Sequence, residues 1–381
     1  MKPESGPVFS KRLGKSHILW FQDSNSYIII SNTVQQLLDC FFLANDKSDF
    51  VQRATEVVKI DESLADVYYD ELNAFLDDIS LKNNDVHTHT EPNIIPKPKI
   101  ERHYCFGKCS FSINYSSERL MELIHPNLSH AHSNNLHEPK AVFDIFESDG
   151  LLHMFKNQHY IGSYETHKFH FLQGKFAMEL LTTLYGNTES DWLATFHATT
   201  VSNGKEAIML IGDSGNGKST FSALLMASGL DLLADDLTPM LAEDGHLYRF
   251  PSAISIKEGA FDSIGEHFEG FAALETHQSQ SKHIKVKYLP PTISFESTKR
   301  DFGCRKLVLV KYDKDTSGCE INPCEPEKAL QILIPDSWIS PKKEHSQTFL
   351  NWLGNLEFYE LHYSDNEIAV KKMMRLFDDN R

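Results

Sequence analysis

The residues best suited to chemistry stand together in Gly212-Asp213-Ser214-Gly215-Asn216-Gly217-Lys218-Ser219, which keeps the Gly-x4-Gly-Lys-Ser spacing of a phosphate-binding loop. Glycines at these intervals let successive backbone N–H groups turn inward on phosphate oxygens, and a helix starting at the loop's end adds its partial positive charge. Lys218 is then placed to reach the outer phosphates and Ser219 to hold Mg²⁺, with Thr220 next along the helix. The flanks agree with this reading. Ala207 to Ile211 is an apolar run of strand length, and Phe221, Leu224 and Leu225 share one face of a helix closed by Gly229. Asp235 and Asp236 end the apolar run from Leu230 to Ala234, only 17 residues after Lys218. Successive side chains at a strand end point in opposite directions, so one carboxylate can face a metal ion and the other an acceptor hydroxyl, with either assignment open. The alternative for the pair is a solvated strand terminus. Asn203-Gly204 predicts a two-residue turn joining a strand over Phe196 to Val201 with the strand of the loop. That places His197, 15 residues before Gly212, beside the terminal phosphate, unless it is a hydrogen-bonded structural residue. Phosphoryl transfer needs this much and no covalent intermediate: an aligned nucleophile, Mg²⁺ on the β- and γ-oxygens, and cations on the developing charge. The close spacing of the aspartates and the lack of a Leu-Ser-Gly-Gly-Gln signature disfavour a transporter ATPase.

Together, His197, the loop Gly212 to Ser219 and Leu232-Leu233-Ala234-Asp235-Asp236 resemble the catalytic core of the HPr kinase family. The resemblance spans about residues 100 to 375 and is sharp over 195 to 240. It implies an α/β fold, a P-loop domain like those of HPr kinase and phosphoenolpyruvate carboxykinase with antiparallel strands before the loop. It also implies ATP and Mg²⁺ as cofactors, transfer to a protein serine, and a ring-like homo-oligomer. By the resemblance Asp235 matches the general base, Asp236 the metal-side carboxylate beside Ser219, and His197 the active-site histidine. Two departures stand out: Thr220 where the bacterial enzymes carry Glu, and no Arg-Gly-Leu-Gly stretch after the aspartates, which puts the reverse, phosphate-removing reaction in doubt. Lys257, Lys287 and Arg305 are further candidates for phosphate or substrate contacts.

These residues need elements to hold them. Residues 101–190 read as a β-rich part, with alternation in Phe111 to Tyr115 and Val142 to Phe146, an Asp149-Gly150 turn and a helix from Lys175 to Tyr185 closed by Gly186; an antiparallel layer is expected. Residues 191–381 form the nucleotide-binding core, with strands at Arg305 to Tyr312 and Phe358 to Tyr363 and helices at Pro326 to Leu333 and Asn366 to Phe377. Residues 86–100 are polar and proline-bearing, a linker composition. Ahead of it, residues 1–85 predict a hairpin and three short helices, the outline of a self-contained winged helix. In element order, in the Ser31-Asn32-Thr33 start of the first helix and in Phe75-Leu76-Asp77-Asp78, this segment resembles the PqqD-like peptide-recognition domains of enzymes that modify ribosomally made peptides. The resemblance implies a precursor peptide as partner, its leader adding a strand to the sheet edge, with Trp20, Phe21 and Tyr27 near the groove. Deleting residues 1–85 should then weaken peptide affinity and leave nucleotide binding.

Composition bounds the reading. The 381 residues carry 37 Lys+Arg against 53 Asp+Glu, a formal charge of −16, with 41% hydrophobic and 24% charged residues, the balance of a globular chain of roughly two domains. Acidity argues against nucleic acid as partner, and residues 1–85 alone hold 14 acidic and 8 basic side chains. Met1 to Ser10 has no apolar core of a signal peptide and no stretch is long enough to span a bilayer, so a cytoplasmic location with no membrane partner is expected. Six cysteines give no disulfide framework. Histidines crowd at His87, His89, His125, His130, His132 and His137, near Cys105 and Cys109, in spacings that fit no standard zinc site.

Overall fold

The computed structural model describes residues 6–81, 91–92, 95–134, 138–279, 284–296 and 299–378. Part of the expected linker, with His87 and His89, lies outside the described residues, as does His137. Turn residues break the first segment into three antiparallel strands, β1 (Phe9–Leu13), β2 (Ser16–Phe21) and β3 (Ser26–Ser31), one more than the hairpin expected. Ser31 ends β3 and its hydroxyl accepts the Val34 N–H at 3.3 Å, so one residue stops the strand and starts α1 (Asn32–Leu43). Asp46 caps α2 (Lys47–Val58) in the same way, and Asp61 accepts the Leu64 N–H at the start of α3 (Glu62–Leu81).

Both faces of this small sheet are buried, because apolar residues run without alternation along β2. Leu19, Phe21 and Ile30 meet Leu37, Phe41, Phe50 and Leu76 of the helices. Leu13, Ile18 and Trp20 point the other way, into a core shared with Leu193, Phe196 and Phe349. The segment therefore shares one of its cores with the rest of the chain, and of the three aromatic residues expected near a groove Phe21 lines a small pocket with Val8, Gln22, Asp23 and Ile79. Trp20 is 0% exposed, with its indole N–H donating to Asn25 Oδ1 at 2.9 Å; Phe21 is buried; Tyr27 lies edge-on to Phe349 at 5.1 Å.

The middle of the chain forms β4 (Ile100–Phe106), β5 (Cys109–Tyr115), α4 (Glu118–Leu128), β6 (Ala141–Ser148), β7 (Leu151–Lys156) and β8 (His159–Glu165), a five-stranded sheet in sequence order, followed by α5 (Phe169–Tyr185). It is not the purely antiparallel layer expected: α4, which the alternating pattern concealed, crosses over and makes β5 and β6 parallel. Asp149 and Gly150, at φ 51° and 77°, form the predicted tight turn, and Gly186 at φ 73° closes α5.

Next come β9 (Trp192–Phe196), β10 (Thr199–Ser202), β11 (Ala207–Ile211), α6 (Lys218–Ala227), β12 (Asp231–Ala234), β13 (Thr238–Leu241) and β14 (Leu247–Tyr248). They are followed by β15 (Ile254–Lys257), α7 (Phe261–Gly265), β16 (Thr276–Gln278), β17 (Lys285–Leu289), β18 (Asp301–Phe302) and β19 (Cys304–Tyr312). The chain ends with β20 (Cys319–Pro323), α8 (Pro326–Leu333), β21 (Trp338–Ile339), α9 (Lys343–Leu353), β22 (Glu357–Tyr363) and α10 (Asn366–Asp378). The central sheet has the order β12-β10-β11-β19-β22-β20; a second is β18-β14-β13-β9-β21 and a third β15-β17-β16. The architecture is mixed α/β, with five sheets among the described residues. No helix among the described residues is long and apolar enough to cross a membrane.

Candidate functional site

Strand direction assembles the site. β11 runs toward the glycine loop, antiparallel β10 begins beside it, and β12, antiparallel to β10, ends there; β19 and β22, parallel to β11, end there too. One edge of the central sheet therefore carries Asp235-Asp236, His197, the loop, Tyr312 and Tyr363 in that order, at the carboxyl ends where open α/β sheets take ligands. His197, Asp213 to Gly215, Gly217 to Thr220, Asp236, Tyr312 and Tyr363 line one cleft of about 390 Å³, joined by Ser255 and Lys257 of β15, Ser263 of α7 and Asn366 of α10.

The loop is held by backbone contacts. The Asn216 N–H donates to the Asp213 carbonyl and the Asn216 carbonyl accepts the Tyr312 N–H, both at 3.1 Å. Gly217, at φ 84°, begins α6, which buries almost every side chain, Lys218 included. The Lys218 ammonium donates to the Gly212 carbonyl, which keeps a buried cation paired at the loop's base. A methyl group on Gly212 would come within 2.7 Å of the Val310 carbonyl oxygen, and β19 cannot retreat because it is hydrogen-bonded on both sides. Gly212→Ala is expected to lower stability by about 1–3 kcal/mol, the scale of overpacking, and a thermal melt checks it.

Asp235 and Asp236 point in different directions, as alternation predicts. Asp235 is 4% exposed; its Oδ1 accepts from Thr199 Oγ1 at 2.5 Å and from Ser219 Oγ at 3.4 Å. Burial, and then the charge of Asp236, push its carboxyl up to about 7 against the Thr199 hydrogen bond. Asp236 is exposed in the cleft with φ 60°, a left-handed conformation that costs a non-glycine residue energy and recurs at functional sites. The cleft-facing acid is thus Asp236, and the acid beside Ser219 is Asp235. Upstream, Arg249 is buried and forks onto Asp231 and the Leu232 carbonyl, fixing the start of β12.

His197 reaches the cleft by a route the sequence did not show. The strand expected over Phe196 to Val201 is broken: the Ala198 N–H bonds back to the Phe196 carbonyl at 2.9 Å, the chain passes from the second sheet to the central one, and His197 is left exposed at the step. Its N–H donates to Ser337 Oγ at 3.4 Å. The hairpin beyond it is real, but Ser202 pairs with Ala207, so its loop has four residues and not two; the Asn203 side chain accepts the N–H groups of Lys205 and Glu206.

Of the three candidate cations, Lys257 lines the cleft. Lys287 does not: it is buried, donating to the Phe271 and Ala272 carbonyls at 3.2 and 2.6 Å between two phenyl rings, a packing role. Arg305 stands at the start of β19, the far end of the sheet from the loop. In the histidine-rich stretch, His125 Nδ1 is bonded to the Tyr104 hydroxyl at 2.9 Å. The residues that sequence reasoning missed are Ser255, Ser263, Tyr312, Tyr363 and Asn366, which no local spacing ties to the loop.

No protein-family model matches the chain, and no curated protein does. Among solved structures, the HPr(Ser) kinase/phosphatase from Coxiella burnetii aligns over 49% of this chain and 99% of its own at 12% identity, with a TM-score of 0.24, too low to carry any argument.

Proposed function

We propose that this chain is a Mg²⁺- and ATP-dependent kinase that transfers the terminal phosphoryl group to a Ser or Thr hydroxyl of a peptide or small protein. The observation that carries the proposal is one cleft lined by the phosphate loop, Asp236, His197 and Lys257 from separate elements, with buried Asp235 behind it on Ser219. Ser219 and the two carboxylates offer hard oxygen donors, the set that suits Mg²⁺, with Asp235 beside Ser219 as the inner acid. Bound there, the ion would neutralise charge on the β- and γ-oxygens. Lys218, Lys257 and the loop N–H groups hold the phosphates; His197 donates to the transferred group; Asp236, free in the cleft, orients the acceptor hydroxyl and takes its proton.

The peptide part of the proposal draws on β3, which among the described residues pairs only with β2, so that its other edge is offered to an added strand. A precursor peptide whose leader docks there is the substrate we favour, over a free metabolite alcohol or a phosphocarrier protein. The test is mass spectrometry of Ser-containing precursor peptides after incubation with Mg-ATP. A gain of one phosphate on Ser or Thr is expected, and Lys218→Ala should lose at least ~100-fold in rate, the scale of removing one preorganised donor. Phosphate found only on free serine or another small alcohol would refute the peptide reading; ATP binding without any transfer would refute the kinase.

A further inference from the structure

We infer that the rim formed by Tyr312, Tyr363 and Asn366 is the seat of the nucleotide's base, with Tyr312 as its stacking surface and Asn366 reading its edge. This rests on the kinase reading for the direction of the nucleotide. The groups that act on the terminal phosphate, Asp235-Asp236 and His197, all lie on the β12 and β10 side of the loop. Phosphates threaded through the loop with their outer end on that side must carry the nucleoside off on the other, where β19 and β22 end. Four strand intervals of about 4.8 Å separate β12 from β22, roughly 19 Å of sheet edge, room for acceptor, triphosphate and base in a row.

The chemistry changes across that edge. One rim is acid, imidazole and ammonium; the residues lining the other are two tyrosines and an amide, with no charge. Tyr312 is a large aromatic residue left 45% exposed at the end of β19, after the buried run from Lys306 to Val310 and exposed Lys311. Its place is fixed. The backbone N–H is bonded to Asn216 of the loop, a methyl on Gly217 would touch Tyr312 Cβ at 3.1 Å and Tyr363 Oη at 3.4 Å, and the two rings meet at 5.4 Å and 65°. Tyr363 is itself buried against Phe221 of α6, so it braces the exposed ring from behind. Asn366 stands three residues on, at the first turn of α10, where Asp365 already serves the helix N–H groups by accepting from Ile368. Its amide is left to offer one donor and one acceptor to a flat ring. That pairing suits adenine, whose edge presents an amino group beside a ring nitrogen.

Equilibrium binding of Mg-ATP and of Mg-tripolyphosphate to the full chain tests this independently of catalysis. Tyr312→Ala should weaken ATP by about 5- to 150-fold, the range of one base–aromatic stack, and leave tripolyphosphate unchanged, whereas Tyr312→Phe should bind both as the parent does. Asn366→Asp should lower the ratio of ATP to GTP affinity. Equal losses for ATP and tripolyphosphate would show that Tyr312 only supports the loop, and unchanged ATP affinity with a raised KM for peptide would assign the rim to the acceptor; either overturns the inference. If ATP affinity falls as described yet no alcohol is ever phosphorylated, the base seat stands and the kinase reading fails.

Discussion

Asp235→Asn is expected to abolish phosphoryl transfer and, between about pH 4 and pH 7, to gain thermal stability relative to the parent as pH rises, the gain levelling off above that. The loss follows from position: Asp235 is the acid that meets Ser219, and removing its charge should cost about 10³-fold or more, the scale of removing a preorganised charge-stabilising group. The gain follows from its environment. In the folded chain the carboxyl holds its proton to about pH 7, whereas unfolded it releases it near its ordinary value of 3.8. Between those values the folded state binds more protons, so raising the pH favours unfolding, and the cost is complete above about 7. Asparagine has no such cost. The difference in melting temperature between variant and parent should therefore grow from pH 4 to pH 7.5, whatever constant offset the altered hydrogen bonds to Thr199 and Ser219 introduce. Curves that stay parallel across that range would show that Asp235 is ionised throughout. Mg²⁺ has to displace the same proton, so its affinity should rise with pH over this interval. Asp236→Asn behaves differently: asparagine tolerates the left-handed backbone, so folding and ATP affinity should hold while kcat falls by about 10²- to 10⁴-fold, the range of a general base.

How much of this site was legible depended on how local its determinants are. The loop, its strand and its helix occupy 21 consecutive residues from Ala207 to Ala227, and their glycine spacing and apolar periods could be read directly. The aspartate pair was legible for the same reason, since a strand end announces itself. Which of the two faces the cleft was not, because direction is set by Thr199 on a neighbouring strand and by the left-handed turn at Asp236. His197 lines the same cleft as the loop, but apolar continuity from Phe196 to Val201 conceals the change of sheet that brings it there, and only the partners of β9 and β10 reveal it. Tyr312, Tyr363 and Asn366 arrive through parallel pairing of β11, β19 and β22, segments about 100 and 150 residues downstream of the loop, and pairing over that span leaves no periodic trace. Lys287 and Arg305 misled because a cation's sequence says nothing of whether its stem is swallowed by phenyl rings or stands at the wrong end of a strand.

Trp20→Ala should destabilise the catalytic core, not only the N-terminal segment, by about 3–5 kcal/mol, the scale of emptying a buried aromatic site. A detachable recognition module would predict the opposite, with its own melting transition and a core indifferent to its removal. The packing argues against that. Successive residues of β2 alternate between two cores, Leu19 and Phe21 to the local helices, Ile18 and Trp20 to the core of Leu193, Phe196 and Phe349, so the sheet cannot leave without stripping the larger core of one wall. The connection continues toward the cleft by hydrogen bonds. Asn25 accepts the Trp20 indole N–H and donates to the Ile339 carbonyl at 2.8 Å; Ile339 pairs with Ala194 of β9, and β9 ends at the step that presents His197. Ser337, two residues before Ile339, receives the His197 N–H. Calorimetry of the whole chain should thus show one transition, shifted down by Trp20→Ala, and a chain lacking residues 1–81 should lose its response to Mg-ATP. Two resolved transitions, or a truncated chain that melts and binds nucleotide like the parent, would return the segment to the status of an independent domain. Where one transition is found, the N-terminal sheet and the step that presents His197 are parts of one cooperative unit, and under the proposed function a peptide docking on β3 would stabilise the cleft as well.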